Sequence, residues 1–313
     1  MISRLARYVA RDFEAASTLT PFDEVMLFRL LFSVLETSCP SLRVEELHGA
    51  VSFVEFDPNL PWSPSSGPSK LKPGKVVAVC ELSDLSIVWF DARRRSARIT
   101  FLQAKRSKSV HSPCEGWPLG ISQTFKGDSR QWDLLCRRPT ISPCFSTFSP
   151  PENLLSEALL PSVGSFGIFH QQPDGAARLF YGAADQIECP TPATVAAKSN
   201  LTLHGGAPNR TIAGYEECVW TCCTFLFLEN LLSGRIGTPV ESDGATSPAD
   251  AAYRRGLRRW LSSIVKSAPV NGEPNRVLAT FRDAFLLDEM GIPVENGPQQ
   301  LHVVFLDVTE ISG

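Results

Sequence analysis

The chain has 313 residues, of which 43% are hydrophobic and 20% are charged, a balance typical of globular proteins and not of disordered chains. Its longest fully apolar runs, such as 76–80, contain about five residues, whereas a membrane helix needs about twenty. The sequence therefore excludes an integral membrane protein, and we expect no membrane partner.

Cysteine usage favours a reducing compartment. The N-terminal segment has no uninterrupted apolar stretch, so the sequence predicts no signal peptide, and the nine cysteines are an odd number. We therefore expect reduced thiols in a cytoplasmic protein. There is no Cys-x-x-Cys pair and the five histidines are scattered, which argues against a structural zinc site.

The charge is unevenly distributed although the net charge is only −3. The segment 93–138 contains eleven lysines and arginines but three acidic residues, which gives it a net charge of +8. Such asymmetry is typical of proteins that bind an anionic partner.

The predicted elements begin with a strong helix that opens at Pro21 and carries Glu24 in its first turn, where the helix dipole favours acids. A strand is predicted at 50–56. The segments 75–90 and 98–105 then form an antiparallel hairpin around a polar turn.

Further elements follow along the chain. They are a short helix capped by Asp128 or Ser129, a hairpin over 165–182, helices at 214–232 and 248–267, and a strand at 301–308. Residues 1–190 are therefore predicted to form an α/β core with a mixed central sheet flanked by helices. Residues 191–313 are predicted to be mainly helical and to pack on this core, since no long linker divides them.

Three polar side chains are predicted to meet at one end of the hairpin. Residues two apart in a strand face the same way, so Gln103 and Lys105 lie on the same face of the strand as Ile99 and Phe101, which precede them. Asp84 lies on the adjacent strand. Carboxylate and amide oxygens suit Mg²⁺ or Mn²⁺, and an ammonium can stabilise charge on a phosphoryl transition state. This set indicates metal-dependent hydrolysis of a phosphodiester.

Two further acids are candidates near this set. Glu24, on the first helix, is placed to contact the metal ion through water. Glu81 lies three residues before Asp84, and a regular strand would put the two on opposite faces, so we rank it below Asp84.

Glu24, Asp84 and Gln103-Ala104-Lys105 together resemble the PD-(D/E)XK nuclease superfamily, whose restriction-endonuclease-like core is a helix, three strands, a helix and a strand. The Gln form is most similar to the Mrr-like members. The resemblance covers roughly residues 20–140. It implies a nuclease that acts on DNA in bacterial defence, with Mg²⁺ or Mn²⁺ held by Asp84, Gln103 and Glu24. Gln103 replaces the usual acid, which predicts weaker metal binding.

Basic residues beyond the hairpin are the predicted nucleic-acid contacts, because phosphate backbones attract such charge. They are Arg106, Lys108, Lys126 and Arg130. Cleavage of both strands would favour a homodimer, and a defence role implies a partner protein.

Two other interpretations stay open. The first is a non-catalytic adaptor that keeps a nuclease-like fold and binds nucleic acid or protein; the Gln103 substitution and the unassigned C-terminal part favour it. The second is a structural partner in a multi-protein system, with an exposed arginine face on the helix at 253–261 as its contact surface. Only the nuclease interpretation requires the four candidate site residues to converge in an open cleft.

Overall fold

The structure, a computed structural model, describes residues 1–48, 52–58, 77–107, 122–146, 148–194, 198–241, 244–268, 275–286 and 301–312. The α-helices within these ranges are α1 (Ile2–Ser17), α2 (Glu24–Ser38), α3 (Ser129–Arg137), α4 (Thr224–Leu232), α5 (Pro248–Ser267) and α6 (Arg276–Phe281). One turn of π-helix, Arg282–Leu286, continues α6.

The strands of the first half are β1 (Arg43–Leu47), β2 (Phe53–Phe56), β3 (Ala78–Glu81), β4 (Leu85–Asp91), β5 (Ser96–Ser107), β6 (Ser122–Asp128), β7 (Ser142–Pro143) and β8 (Gly164–Gln171). Those of the second half are β9 (Ala177–Ala183), β10 (Ile187–Glu188), β11 (Lys198–His204), β12 (Asn209–Ile212), β13 (Tyr215–Cys218), β14 (Trp220–Thr221), β15 (Thr238–Pro239) and β16 (Val303–Asp307).

A mixed sheet forms the centre of the fold, with the strand order β1-β16-β4-β5-β8-β9-β14 and with β15 paired to the start of β5. The predicted hairpin is confirmed from Leu85 onward, where β4 and β5 pair in antiparallel from Leu85–Leu102 to Asp91–Ser96, whereas Ala78–Glu81 of its first arm is β3 and pairs with β2. On their outer sides, β5 pairs in parallel with β8, and β4 pairs in parallel with β16. The protein is therefore an α/β fold with a mixed central sheet flanked by helices, as predicted.

The two faces of the central sheet bury separate apolar clusters. On one face, α1, α2 and α4 cover the sheet, and Phe28 of α2 packs edge-on against Phe169 at 4.7 Å between ring centroids. On the other face, α3, α5 and α6 cover it, and Trp260 lies 6.2 Å from Phe101. Because side chains alternate along β5, the row that contains Phe101 ends in Gln103 and Lys105, whereas Ala104 faces α2.

The start of α2 differs slightly from the prediction. The helix begins at Glu24 and not at Pro21, because Asp23 is the N-cap and its carboxylate accepts hydrogen bonds from the amides of Val25 and Met26. Glu24 therefore lies in the first turn, as predicted.

The strand predicted at 50–56 is shorter and lies in another sheet. β2 pairs with β3 and β7, and these three strands form a separate sheet. The place beside β4 is taken by β16, which comes from more than two hundred residues further along the chain. Local hydrophobic pattern carries no information on such a distant pairing.

The helix predicted at 214–232 is wrong in its first half. Ala213 and Gly214 have φ values of 50° and 83°, which make the tight turn between β12 and β13. The chain becomes helical only at Thr224. The described part of the chain after residue 191 thus contains six strands, β11 through β16, besides three helices, so this region mixes helix and strand where the sequence predicts mainly helix.

The arginine-rich helix is α5, and one of its two arginine pairs, Arg254 and Arg258, is buried, whereas the other, Arg255 and Arg259, is exposed. Arg254 is fully buried; it forms an ion pair with Asp250 at 2.8 Å and donates to the Glu241 carbonyl oxygen at 3.0 Å. Arg258 is also buried, at 7% exposure, whereas Arg255 is exposed. The exposed arginine face expected from the sequence is therefore wrong for two of its members.

No helix within the described ranges combines the length and the hydropathy that a membrane-spanning helix needs.

Close packing of β8 against α2 gives a first prediction. A Cβ at Gly167 would lie 2.5 Å from Phe28 Cζ, so Gly167→Ala must displace α2 and should lower the free energy of unfolding by about 1–3 kcal/mol. The matched control is Gly256→Ala in α5, where a Cβ meets nothing within 4 Å and should stabilise the helix by about 0.5–1 kcal/mol. Urea denaturation measures both, and equal effects would contradict this packing.

Candidate active site

The C-terminal end of β5 brings three of the predicted residues together. Lys105 Nζ lies 3.1 Å from Gln103 Oε1 and 3.4 Å from Asp84 Oδ2. The amide of Ala104 also donates to Asp84 Oδ2, at 2.7 Å. The side chains of Lys105 and Asp84 keep 15% and 23% of their surface exposed, so the group is accessible from solvent.

Asp84 is positioned by a break between two sheets and not by a continuous strand. β3 ends at Glu81 and belongs to the sheet of β2, whereas β4 begins at Leu85 in the central sheet. Between them the chain bends, and the amide of Asp84 donates to the Leu102 carbonyl oxygen at 3.1 Å. The backbone of β5 thus holds Asp84 at both its amide and its carboxylate.

Glu81, which the sequence analysis ranks below Asp84, lies beside this group. Its carbonyl oxygen accepts a hydrogen bond from Gln103 Nε2 at 3.2 Å. Burial, and after it the charge of Asp84, raise the pKa of the Glu81 carboxyl to about 7 against the opposing charge of Lys105. The regular strand from 81 to 84 that the opposite-face argument assumed is not formed, because β3 ends at Glu81 and the chain bends before Asp84. The polar pair Ser83-Asp84 inside an otherwise apolar segment was the signal for the bend.

Glu24 is placed differently from the other candidates. Its carboxylate forms an ion pair with Arg106, whose Nε lies 3.1 Å from Glu24 Oε1, and Arg106 also donates to the Phe22 carbonyl oxygen at 2.8 Å. Glu24 lines the same cavity as Glu81 and Lys105. Four acids or amides therefore surround this end of the sheet, but Glu24 is engaged with a cation of its own.

An open cavity of about 1120 Å³ adjoins the site. Four basic residues and three acidic ones line it: Lys105, Arg106, Lys126 and Lys198, and Glu24, Glu81 and Asp128. Lys126 and Lys198 project from the exposed faces of β6 and β11, which pair in antiparallel to form one wall. This size and charge suit an extended anion more than a small neutral ligand.

The predicted nucleic-acid contacts fall into three groups. Arg106 and Lys126 line the cavity. Arg130 lies in α3, is half-buried and does not line the cavity in the described part of the chain. Lys108 lies outside the described residues. Lys198 of β11 lies in the same wall. The sequence analysis did not select it, because β11 was not predicted as a strand.

Comparison with known proteins adds no assignment. No protein-family model, no curated protein and no solved structure matches the chain. Function is therefore inferred from the geometry of this site.

The raised pKa of Glu81 gives a second prediction. In the folded state this carboxyl titrates near pH 7, whereas its ordinary value is 4.5. Below pH 4.5 both states are protonated and this stabilising contribution is fully present; it is lost as the pH rises through 7. Glu81→Gln should therefore gain stability relative to the wild type over this range, by about 1 kcal/mol after solvent screening.

Urea denaturation of both proteins from pH 4 to pH 8 measures the effect. Titrating groups that do not interact with Glu81 cancel in the difference between the two proteins. A difference that does not change with pH would show that Glu81 ionises normally.

Proposed function

We propose that this protein is a metal-dependent nuclease that hydrolyses phosphodiester bonds, with DNA as its substrate. The observation that carries the proposal is the convergence of Asp84, Gln103 and Lys105, of which Lys105 also lines a large cavity that holds three further basic residues. A carboxylate and an amide oxygen around an ammonium group form a set that can hold a metal ion and a phosphate together.

The order of elements around the site supports a restriction-endonuclease-like identity. Helix α2 is followed by the antiparallel pair β4–β5, by α3, and by β8 in parallel to β5. β1 follows α2 directly, as the first strand of that element order does, and it runs antiparallel to β16, which is parallel to β4. The departure is that β16 lies between β1 and β4.

The donor atoms at the site fit Mg²⁺ or Mn²⁺. Glu81, Asp84 and Gln103 supply hard oxygen ligands, and the mutual repulsion of the two carboxylates contributes to the raised pKa of Glu81. A divalent cation would relieve that repulsion. When bound, it would supply polarisation of the phosphate and activation of water.

The protein's own groups then have separate roles. Lys105, held between Gln103 and Asp84, presents its ammonium where negative charge develops on the phosphate. Glu81, with a pKa of about 7, can accept or release a proton near neutral pH. Lys126 and Lys198 hold the phosphate backbone along the wall of the cavity.

Cleavage of DNA tests the proposal directly. The full chain should cut supercoiled or linear DNA with Mg²⁺ or Mn²⁺ and not with EDTA, and Lys105→Ala should lower the rate by about 100-fold or more. Lys198→Ala is the matched control, since it removes a lysine of the same cavity that does not contact Asp84. It should weaken binding but leave the rate at saturating DNA unchanged. Equal losses in both variants, or cutting in EDTA, would overturn the assignment.

DNA binding measured in EDTA tests the contribution of the cavity-wall lysines separately from that of the catalytic group. In a plot of log affinity against log salt concentration, the slope of Lys126→Ala should be about one unit shallower than that of the wild type. The slope of Lys198→Ala should be shallower by the same amount, because each lysine that contacts a phosphate releases about one counterion. The control is Arg95→Asn in the β4–β5 turn, where asparagine suits the positive φ of 48° and the lost charge lies at the far end of the hairpin. Its slope should match the wild type.

One observation favours the second candidate function, a non-catalytic adaptor that binds nucleic acid or protein. Gln103 Oε1 and Asp84 Oδ2 both contact Lys105, and Gln103 is fully buried, so two of the metal donors are already occupied by the lysine. DNA binding with the salt dependence described above, without cleavage at any metal concentration, would establish the adaptor. The role in bacterial defence rests on the sequence resemblance alone.

A further inference from the structure

A cluster of metal-binding side chains lies at the same end of the sheet but on a different pair of strands. Glu46 is on β1, His48 follows β1, and His302 precedes β16. One ligand atom from each of the three lies within 4.8 Å of the other two. None of these residues belongs to the Asp84 site.

The pairing of β1 with β16 explains why the three side chains meet. In the antiparallel register Leu47 is opposite Val303, so extending it by one residue places His48 opposite His302. Side chains directly opposite each other are about 5 Å apart at Cβ, and those two residues apart share a face. Glu46 therefore lies on the same face as His48 and diagonal to His302.

Both histidines of the cluster contact the same carboxylate oxygen. His302 Nε2 lies 2.6 Å from Glu46 Oε1, and His48 Nδ1 lies 3.6 Å from the same oxygen. Ligands around a tetrahedral zinc ion are about 3.3 Å apart, so small rotations of these side chains would admit an ion. Arg29 Nε, 3.6 Å from Glu46 Oε1, is the competing cation, and its side chain is 53% exposed and free to turn away.

There is also space beside the cluster. A cleft with about 10 Å³ of free volume borders Glu46, His302 and Asp84, which is close to the least space that one water molecule needs. An ion bound by the cluster could therefore retain a water as its fourth ligand.

We propose that Glu46, His48 and His302 bind a divalent transition-metal ion of the zinc class. Two imidazoles and one carboxylate are a donor set that zinc accepts, whereas Mg²⁺ prefers oxygen ligands alone. The ion joins the end of β1 to the start of β16 and so stabilises the edge of the central sheet. The site goes beyond the proposed nuclease function and does not depend on it.

Zinc binding to the full chain in excess Mg²⁺ tests this site. Titration against a chromophoric chelator should show one Zn²⁺ bound per chain, and His48→Asn and His302→Gln should each weaken binding by at least about 100-fold. His48 is 65% exposed, so its replacement leaves the fold intact. The matched control is His204→Asn, because His204 also contacts a glutamate, Glu188 at 3.0 Å, but has no place in the cluster. It should bind Zn²⁺ as the wild type does.

Two further readouts exclude binding by cysteine. Co²⁺ in place of Zn²⁺ should give the weak visible absorption of nitrogen and oxygen ligands, without the strong near-ultraviolet band of a thiolate. Zn²⁺ should also raise the melting temperature of the wild type and of His204→Asn but not that of His48→Asn. A thiolate band, or equal zinc affinity in the wild type and in His48→Asn, would overturn the site. Because DNA cleavage is not a readout, failure here leaves the nuclease proposal untouched.

Discussion

The buried amide of Gln103 is the constraint on which the candidate site depends. Gln103 has no exposed surface, and an unpaired buried amide costs free energy, so both of its polar atoms need partners. Its nitrogen donates to the Glu81 carbonyl oxygen, which ties the end of β3 to β5. Its oxygen accepts from Lys105, which turns the ammonium back toward Asp84. One side chain therefore connects two sheets and orients the cation between them.

This constraint also explains why glutamine can stand at this position. A carboxylate in place of Gln103 could accept from Lys105 but could not donate to the Glu81 carbonyl oxygen. It would also add a third negative charge beside Asp84 and Glu81 in a half-buried site. The amide avoids that repulsion and holds the bend at residues 82–84 in place.

The sequence was most informative where the structure depends on local pattern. Alternation along 98–105 predicts that Gln103 and Lys105 share a face, and a polar turn predicts the hairpin that brings Asp84 near them; the structure confirms both. The helix dipole and capping rules place Glu24 in the first turn of α2. Each of these features is determined by residues that lie within a few positions of it in the sequence.

The features that the sequence did not reveal depend on distant pairings. Glu81 reaches the site because the chain changes sheets before Asp84, and β3 finds its partner in β2. His302 reaches Glu46 and His48 because β16 pairs with β1 across more than two hundred residues. Nothing in the local periodicity of 301–308 says which strand it will join. Scattered histidines in a sequence are therefore a poor guide to whether they meet in the fold.

The position of β16 also bears on how the chain can fold during synthesis. Every other strand of the central sheet precedes β16 in the chain, yet β16 lies between β1 and β4. Until the ribosome has made it, β4 has an unpaired edge although all seven of its residues are buried in the finished fold. Such an edge is a template for pairing with other chains. The edge of β4 therefore stays unpaired while the ribosome synthesises the residues between β4 and β16. During that time a chaperone, or rapid elongation, must prevent this edge from pairing with another chain.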